Sequence, residues 1–278
     1  MATSLLANKH RITVWNRTPE RADTLVADGA RLAQTLEEAI AANPLTIVCL
    51  NDYDTTHKLL APAGSVLQGR TLINLTSGTP AEVRTATDWA DRHGINYLDG
   101  AIMVPPAMVG QPDGVFLYAG PSRLFERHRS SLATLGDPRY LGEDVTLAVL
   151  YNTALLEMMY ATLNGWLHAT ALVDSADVSA QTFAELALGW FMPKVVGYPS
   201  LAALAPQLDA ADYPGSTGTM EMNLKALEHI LRTSEEQNVS SGFPHSMKDI
   251  AQAAVDGGYH DRSYLAVYEV LRNPERAE

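Results

Sequence analysis

The stretch RITVWNRTPERA, residues 11–22, decides the fold prediction because a β-rich run passes directly into a helical pattern. The run ends at Asn16, and Pro19 follows at the position where proline often begins a helix. We expect Thr18 to cap this helix and Gly29 to end it. A strand followed at once by a helix is the repeating unit of doubly wound α/β folds.

Four further β-rich runs follow, and amphipathic helical patterns separate several of them. These runs are LTIVCL (45–50), TLINL (71–75), INYLD (95–99) and VFLYAG (115–120). Near-continuous apolar strands alternating with helices are typical of a mainly parallel sheet covered on both faces. Thr79-Pro80-Ala81-Glu82 is a capping box with proline at the first helical position. Residues 1–143 are therefore predicted to form an α/β domain of the Rossmann type.

A long helical pattern without proline begins after Gly142 and covers residues 144–172. As one α-helix it would be roughly 43 Å long, at about 1.5 Å per residue. It is apolar on nearly every side and so needs cover on most faces. The remainder of the chain has only amphipathic helical patterns. Residues 144–278 are predicted to form an all-α domain that dimerises through this helix.

Composition excludes several classes of protein. The net charge of −12 disfavours a nucleic-acid or anionic-membrane surface. Cys49 is the single cysteine, so no internal disulfide forms. The longest apolar segment is interrupted by Asn152, Glu157, Asn164 and His168, which disfavours a membrane span. The histidines form no i, i+4 pair, and no export signal opens the sequence. We predict a cytoplasmic protein with no metal site.

The residues after the first strand favour NADPH as a cofactor. In doubly wound domains an acidic residue here binds the ribose of NAD, whereas a basic residue accommodates the phosphate of NADP. Here Asn16 is followed by Arg17, Thr18 and Arg21. A guanidinium binds phosphate oxygens bidentately, and a helix N-terminus favours an anion. The same residues also suit a solvent-exposed β–α turn, so the segment alone leaves both interpretations open.

The sequence contains no G-x-G-x-x-G turn, which would hold the pyrophosphate of a dinucleotide. Such a turn would come before residue 1, and residues 1–9 are typical of the end of the helix that follows it. In the common strand order the strand before that turn is central, and its loss would leave two strands unpaired. We therefore expect a Rossmann domain shortened by its first strand.

Five segments together resemble the bacterial NADPH-dependent imine reductases of the β-hydroxyacid and 6-phosphogluconate dehydrogenase superfamily. They are VWNRTPERA (14–22), CLNDYD (49–54), NLTSGTP (74–80), YLDGAIMVPPAMVG (97–110) and LAVLYNTALLEMMYATLNGWLHATALV (147–173). The resemblance covers nearly the whole chain, apart from the glycine-rich turn. It implies a long interdomain helix and a homodimer with interlocked helical domains.

The resemblance also implies which residues bind NADPH. Those that read the phosphate would be Asn16, Arg17, Thr18 and Arg21. Those along the rest of the cofactor would be Asn51, Asp52, Asn74, Thr76 and Ser77, and the turn 74–78 would approach the nicotinamide.

The expected chemistry follows from what the substrate region lacks. Hydroxyacid relatives carry a Ser-Gly-Gly stretch for a carboxylate and a lysine early in the interdomain helix. Here the first is replaced by the apolar stretch 102–106, and the helix 144–172 has no lysine or arginine. This favours an uncharged or cationic substrate such as a cyclic imine or iminium, with coupling of a ketone to an amine as an extension. Met103, Val104 and Pro105 are expected to line the substrate pocket.

Two catalytic candidates lie on the long helix. Imine reductases place Asp or Tyr at the position of Asn152, and a carboxamide can orient a substrate but cannot donate a proton as an acid does. Tyr160, about 80° further round the helix, is the second candidate. Either residue could instead be a core residue or fix dimer register. Trp190, Phe191 and Met192 are expected to line an apolar pocket, with a plain core role as the alternative.

The sequence is compatible with three functions. The leading one is an NADPH-dependent imine reductase. The second is a β-hydroxyacid or semialdehyde dehydrogenase that uses NADP. The third is a non-catalytic dimer that binds NADPH.

Overall fold

The structure is a computed structural model that describes residues 1–196 and 200–273. The chain divides into two compact units, one from Met1 to Met158 and one that begins at Met159. The strands of the described residues all lie in the first unit, and the described part of the second unit contains helices but no strand.

The first unit contains seven strands in two sheets. The strands are β1 Thr13–Val14, β2 Arg31–Leu32, β3 Leu45–Val48, β4 Thr71–Asn74, β5 Asn96–Ile102, β6 Val115–Ala119 and β7 Asp137–Tyr140. β1 pairs with β2 in parallel, and β3 to β7 form a five-stranded sheet in chain order. Its neighbouring strands are parallel except for β5 and β6. The prediction of a mainly parallel sheet is confirmed.

The sequence patterns miss β2 and β7. β2 has only two residues, and β7 is an edge strand that includes Pro138. Proline is tolerated at a sheet edge because its missing N–H faces away from the ladder. The residues of β7 are only half-buried or exposed, so no apolar alternation marks the strand.

Short helices precede β1 and connect most of the later strands of the first unit. They are α1 Ala2–Ala7, α2 Asp23–Ala27, α3 Leu36–Ala42, α4 Tyr53–Leu60, α5 Gly64–Leu67, α6 Pro80–Arg92 and α7 Ser122–Leu132. The predicted capping box opens α6, where Glu82 Oε2 accepts a hydrogen bond from the Thr79 N–H at 2.7 Å. Thr18 takes the predicted N-cap position before Pro19, but its side chain makes no capping hydrogen bond. Instead, the Thr18 N–H donates to Asn16 Oδ1 at 2.9 Å in an Asx turn.

Apolar side chains cover both faces of the five-stranded sheet. Leu72 and Tyr97 belong to one buried cluster, while their neighbours Ile73 and Leu98 belong to another. Successive residues of a strand point to opposite faces, so each strand contributes to both clusters. This explains the continuous apolar runs in the sequence.

The long helix is α8, Leu147–Asp174, close to the predicted 144–172. Its start belongs to the first unit and its continuation to the second. The other α-helices in the described part of the second unit are α9 Ala180–Leu186, α10 Ser200–Asp209, α11 Met220–Glu236, α12 Gly242–Ala254 and α13 Val267–Arg272. Met220, Ala251 and Ala254 are central to the core of this unit. Among the described helices, none has the length and apolarity that a membrane span requires.

The expectation that α8 is covered on most faces does not hold within the single chain. Only Ala148, Val149 and Asn152 of this helix are buried. Its large exposed apolar side chains are Leu150, Tyr151, Leu155, Leu156, Met158, Met159, Tyr160, Leu163 and Leu167. One copy of the chain therefore leaves a long apolar surface on α8 open to solvent.

Candidate cofactor and active site

The carboxyl ends of β1, β3 and β4 each run into a turn of polar residues. In open α/β sheets, ligands bind outside the carboxyl ends of the strands. Val48, Asn74 and Asp99 are lateral partners on β3, β4 and β5, so this edge of the sheet is aligned across three strands.

The turn after β1 carries two arginines that suit a phosphate. Arg17 and Arg21 are exposed, and neither forms an ion pair with another residue in the described ranges. The Asx turn made by Asn16 and Thr18 orders the backbone between β1 and the short helical turn Pro19–Ala22. Two exposed guanidinium groups near one ordered turn suit the charge of a phosphate dianion.

The turn after β3 ends in a helix cap. Asp52 Oδ1 accepts a 2.6 Å hydrogen bond from the Thr55 N–H at the start of α4. Hydrogen bonds from Thr55 lower the pKa of Asp52, which favours its ionised form. A carboxylate in this position suits a hydroxyl donor better than a phosphate. Asn51 is exposed beside it, and the contact of both residues with a cofactor stays a prediction.

The turn after β4 is held by buried side chains. Asn74 and Thr76 are 1% and 0% exposed, whereas Ser77 is exposed. Asn74 Oδ1 accepts from the Thr76 N–H at 3.0 Å, and Thr76 Oγ1 accepts from the Leu50 N–H at 3.1 Å. These hydrogen bonds of Asn74 and Thr76 hold the shape of the turn. Ser77 is the predicted side chain that remains available to a ligand.

A buried acidic residue beside this turn escaped the sequence reasoning. Asp99 is 0% exposed, and its Oδ2 accepts hydrogen bonds from the hydroxyls of Tyr53 at 2.5 Å and Tyr97 at 2.7 Å. Burial raises the pKa of Asp99 to about 7, although the two tyrosine bonds act in the opposite direction. A carboxylate inside the apolar strand YLDGAI is the signal that could have found it, since buried charges require partners.

The start of α8 brings a catalytic candidate close to this region. Ala148 packs in a cluster that includes Met103, and Val149 packs with Tyr53. Asn152 lies four and three residues further on, so it shares their face of the helix. Asn152 is 6% exposed. The first unit therefore places Asn152 on the side of α8 that packs against Met103 and Tyr53.

The other predicted pocket residues are more open in the single chain. Val104 is half-buried and Pro105 is exposed. Tyr160, Trp190 and Phe191 are 60%, 54% and 45% exposed. Their role in a pocket stays a prediction, as does that of the half-buried Met192.

Two protein families match the chain in sequence. Residues 1–151 match the NAD binding domain of 6-phosphogluconate dehydrogenase. Residues 144–273 match the C-terminal domain described as NADPH-dependent reductive aminase-like. The two matches together cover nearly the whole chain.

Individual relatives agree with these matches. An NADPH-dependent reductive aminase of Aspergillus oryzae is 37% identical over 98% of this chain and 92% of its own length. The structure of an imine reductase from Bacillus cereus superposes with a TM-score of 0.90 and 31% identity, over 98% of this chain and 94% of that one. A reductive aminase from Aspergillus terreus, in complex with NADPH4, cyclohexanone and allyl amine, gives a TM-score of 0.87 and 39% identity over the same shares. The predicted resemblance and fold class are confirmed, and the chain belongs to the family of NADPH-dependent reductive aminases and imine reductases.

Proposed function

We propose that this chain uses NADPH to reduce the C=N bond of an imine or iminium to an amine. The proposal rests mainly on the burial of Asn152, which is the polar residue among the three buried residues of α8. This helix has no lysine or arginine that could serve a hydroxyacid substrate. A buried carboxamide on such a helix suits a nitrogen that needs to be oriented, and does not supply the acid that an alkoxide requires.

The chain's own residues would hold the cofactor at two places. Arg17 and Arg21 would bind the phosphate that distinguishes NADPH from NADH, because their guanidinium groups are exposed and lack ion-pair partners within the described chain. Ser77 and the backbone of the 74–78 turn would lie toward the nicotinamide. NADPH, when bound, supplies the hydride.

Asn152 would orient the substrate nitrogen. Its Oδ1 can accept a hydrogen bond from an iminium N–H, and its Nδ2 can donate to the lone pair of a neutral imine. Positioning of this kind lowers the entropic part of the barrier. An iminium already carries its proton, so the amine forms without a further proton donor. A neutral imine would take that proton from water.

Apolar side chains would shape the rest of the pocket. Tyr160 would form a wall or donate a hydrogen bond. The other members would be Met103, Val104, Pro105, Trp190, Phe191 and Met192. The Aspergillus terreus relative was solved with cyclohexanone and allyl amine, so we include a ketone and an amine among the substrates to be tested.

We also propose a homodimer. The exposed apolar side chains of α8 form a surface whose contact with water is unfavourable. Contiguous apolar patches of this kind mark interaction sites. A second copy of the chain offers the same surface, which suits a symmetric interface. A cytoplasmic location stays our prediction.

The test compares two reactions. NADPH consumption is followed with a methyl-substituted pyrroline, and with cyclohexanone plus allyl amine. NADP reduction is followed with hydroxyisobutyrate. We expect turnover with the imine and with the ketone–amine pair. Turnover with the hydroxyacid alone would replace the proposal with the dehydrogenase alternative.

A further inference from the structure

The buried carboxylate of Asp99 connects to the 74–78 turn through two tyrosines, and the proposed hydride transfer does not use it. Asp99 Oδ2 accepts from both Tyr53 and Tyr97, while its Oδ1 is buried with no hydrogen-bond partner in the described chain. Two donors on one oxygen make a branch point in a buried polar network. Each branch leads to a different part of the turn.

The first branch is a directed chain of hydrogen bonds. Asn74 Nδ2 donates to the Tyr97 hydroxyl at 3.1 Å, and this hydroxyl donates to Asp99 Oδ2 at 2.7 Å. Asn74 Oδ1 is thereby left facing the Thr76 N–H, from which it accepts at 3.0 Å. A hydroxyl has a single proton to donate, so the acceptor at Asp99 fixes the direction of the whole chain.

The second branch is a packing contact. A Cβ added to Gly78 would lie 2.4 Å from Cδ2 of Tyr53, so the tyrosine ring packs directly against the backbone of the turn. The hydroxyl of this ring is held by Asp99 at 2.5 Å. The hydrogen bond therefore sets how deep the ring lies beneath Gly78.

We propose that Asp99 is a positioning residue, whose ionised form holds the 74–78 turn in the shape that binds NADPH and whose protonation loosens it. This inference rests on the proposed function, since it assumes that the turn faces the cofactor. Protonation on either oxygen removes the negative charge that strengthens both tyrosine bonds. A proton on Oδ2 that is donated to Tyr97 also forces the tyrosine proton to another acceptor. The nearest solution turns the carboxamide of Asn74, which removes Oδ1 from the Thr76 N–H.

Asp99 is the group in this network that titrates near neutrality. Burial raises the pKa of Asp99 to about 7. Burial and the Asp99 charge raise the pKa of Tyr53 and of Tyr97 well above the ordinary tyrosine range, so both hydroxyls keep their protons. Glu82 on α6 acts on Tyr53 through its charge, and the partner of Asp99 on β6 is Ala119, which does not titrate.

The coupling is tested first without cofactor. In protein labelled with 15N-threonine, the Thr76 amide signal is assigned by its loss in Thr76→Ser. We expect it to shift with pH with a midpoint near 7, and to stay constant in Asp99→Asn, which keeps the shape of the side chain but does not titrate. Tyr53→Phe removes a bond that lowers the pKa of Asp99, so the midpoint should move to higher pH. Tyr118→Phe is the matched control, because this buried hydroxyl has no hydrogen-bond partner in the described chain.

The effect on the cofactor is tested next, by fluorescence titration of NADPH. We expect the affinity for NADPH to fall about five- to tenfold as pH drops below 7, after the change seen in Asp99→Asn is subtracted. This size corresponds to the loss of one buried hydrogen bond. The Asp99→Asn variant corrects for titration of the cofactor's own phosphate group, since phosphate monoesters titrate near pH 6. A Thr76 signal that ignores pH, or titrates equally in Asp99→Asn, overturns the positioning role whether or not NADPH binds. A titrating signal in a protein that does not bind NADPH supports the coupling and overturns the proposed function.

Discussion

Asn74 and Asp99 lie opposite each other on the parallel strands β4 and β5, and the hydroxyl of Tyr97 bridges their side chains. Both residues are buried, and burial raises the pKa of Asp99 from 3.8 to about 7. Between these two pH values the folded protein keeps a proton that the unfolded chain has lost. Asp99 therefore couples stability to pH.

The sign of this coupling follows from linkage. The stabilising contribution of the bound proton is fully present below the unfolded pKa of 3.8, and it is lost as pH rises through about 7. The free energy of unfolding of Asp99→Asn, relative to the natural chain, should rise by on the order of 2–3 kcal/mol between about pH 5 and pH 8. Urea denaturation at several pH values measures it. A difference that does not change with pH would contradict the raised pKa.

Replacement of Arg17 tests the phosphate site. Arg17→Ala should weaken NADPH binding about tenfold or more, and NADH binding little, because a charge-assisted bond to phosphate is lost. Calorimetric titration with both cofactors gives the ratio. Arg127→Ala, on the exposed side of α7, is the matched control for the loss of one positive charge. Equal weakening of both cofactors by Arg17→Ala would rule out a phosphate role.

Replacement of Asn152 tests the orienting role. Asn152→Ala should lower kcat about tenfold or more while NADPH affinity changes little, since the bond to the substrate nitrogen is lost. Asn164→Ala is the control, because Asn164 is an exposed asparagine on the same helix. If Asn152→Ala unfolds the protein or breaks the dimer without a specific effect on kcat, Asn152 is a structural residue.

Asn152→Asp supplies a further readout at the same position. A buried carboxyl has a raised pKa and can donate a proton when it is neutral. The rate with a neutral imine should then fall as pH rises through the pKa of the new acid. The measurement compares the pH–rate profile of the variant with that of the natural chain. Identical profiles would show that residue 152 does not contact the substrate nitrogen.

The exposed apolar side of α8 predicts a dimer interface, and a single charged substitution on this side should weaken the dimer. Leu167 is 55% exposed on this helix, and Leu167→Glu would place a charge in the interface. We expect the dissociation constant of the dimer to rise about 100-fold, as for a central apolar contact. Leu271→Glu, at a leucine of α13 that is 61% exposed, is the control. Sedimentation equilibrium measures the dissociation constant. A monomeric natural chain would contradict the dimer proposal.

Much of the fold could be predicted from periodicity and helix signals. The apolar runs of β3, β4 and β6 appear because both faces of the sheet are covered, and the capping box of α6 marks its first turn. β2 and β7 could not be found, because neither strand has residues buried on alternate sides. Thr18 lies at the expected N-cap position, but the side-chain hydrogen bond of this turn comes from Asn16, which accepts from the Thr18 N–H.

The site was less accessible to sequence reasoning. Asn74 and Thr76 could be placed at a strand end, but their hydrogen-bond partners Tyr97 and Leu50 are distant in sequence. Asp99 was missed because its importance comes from two tyrosines on different elements, a relationship that no local pattern contains. Pairwise geometry of this kind needs the folded chain.

The transfer of hydride to carbon can be measured directly. The protein is incubated with a methyl-substituted pyrroline and NADPH that carries deuterium at the transferred position, and the amine product is analysed by mass spectrometry. We expect one deuterium on the former imine carbon, incorporated at a rate that falls in Asn152→Ala. Amine product without deuterium, or no product while hydroxyisobutyrate is oxidised with NADP, would contradict hydride transfer from NADPH to a C=N bond.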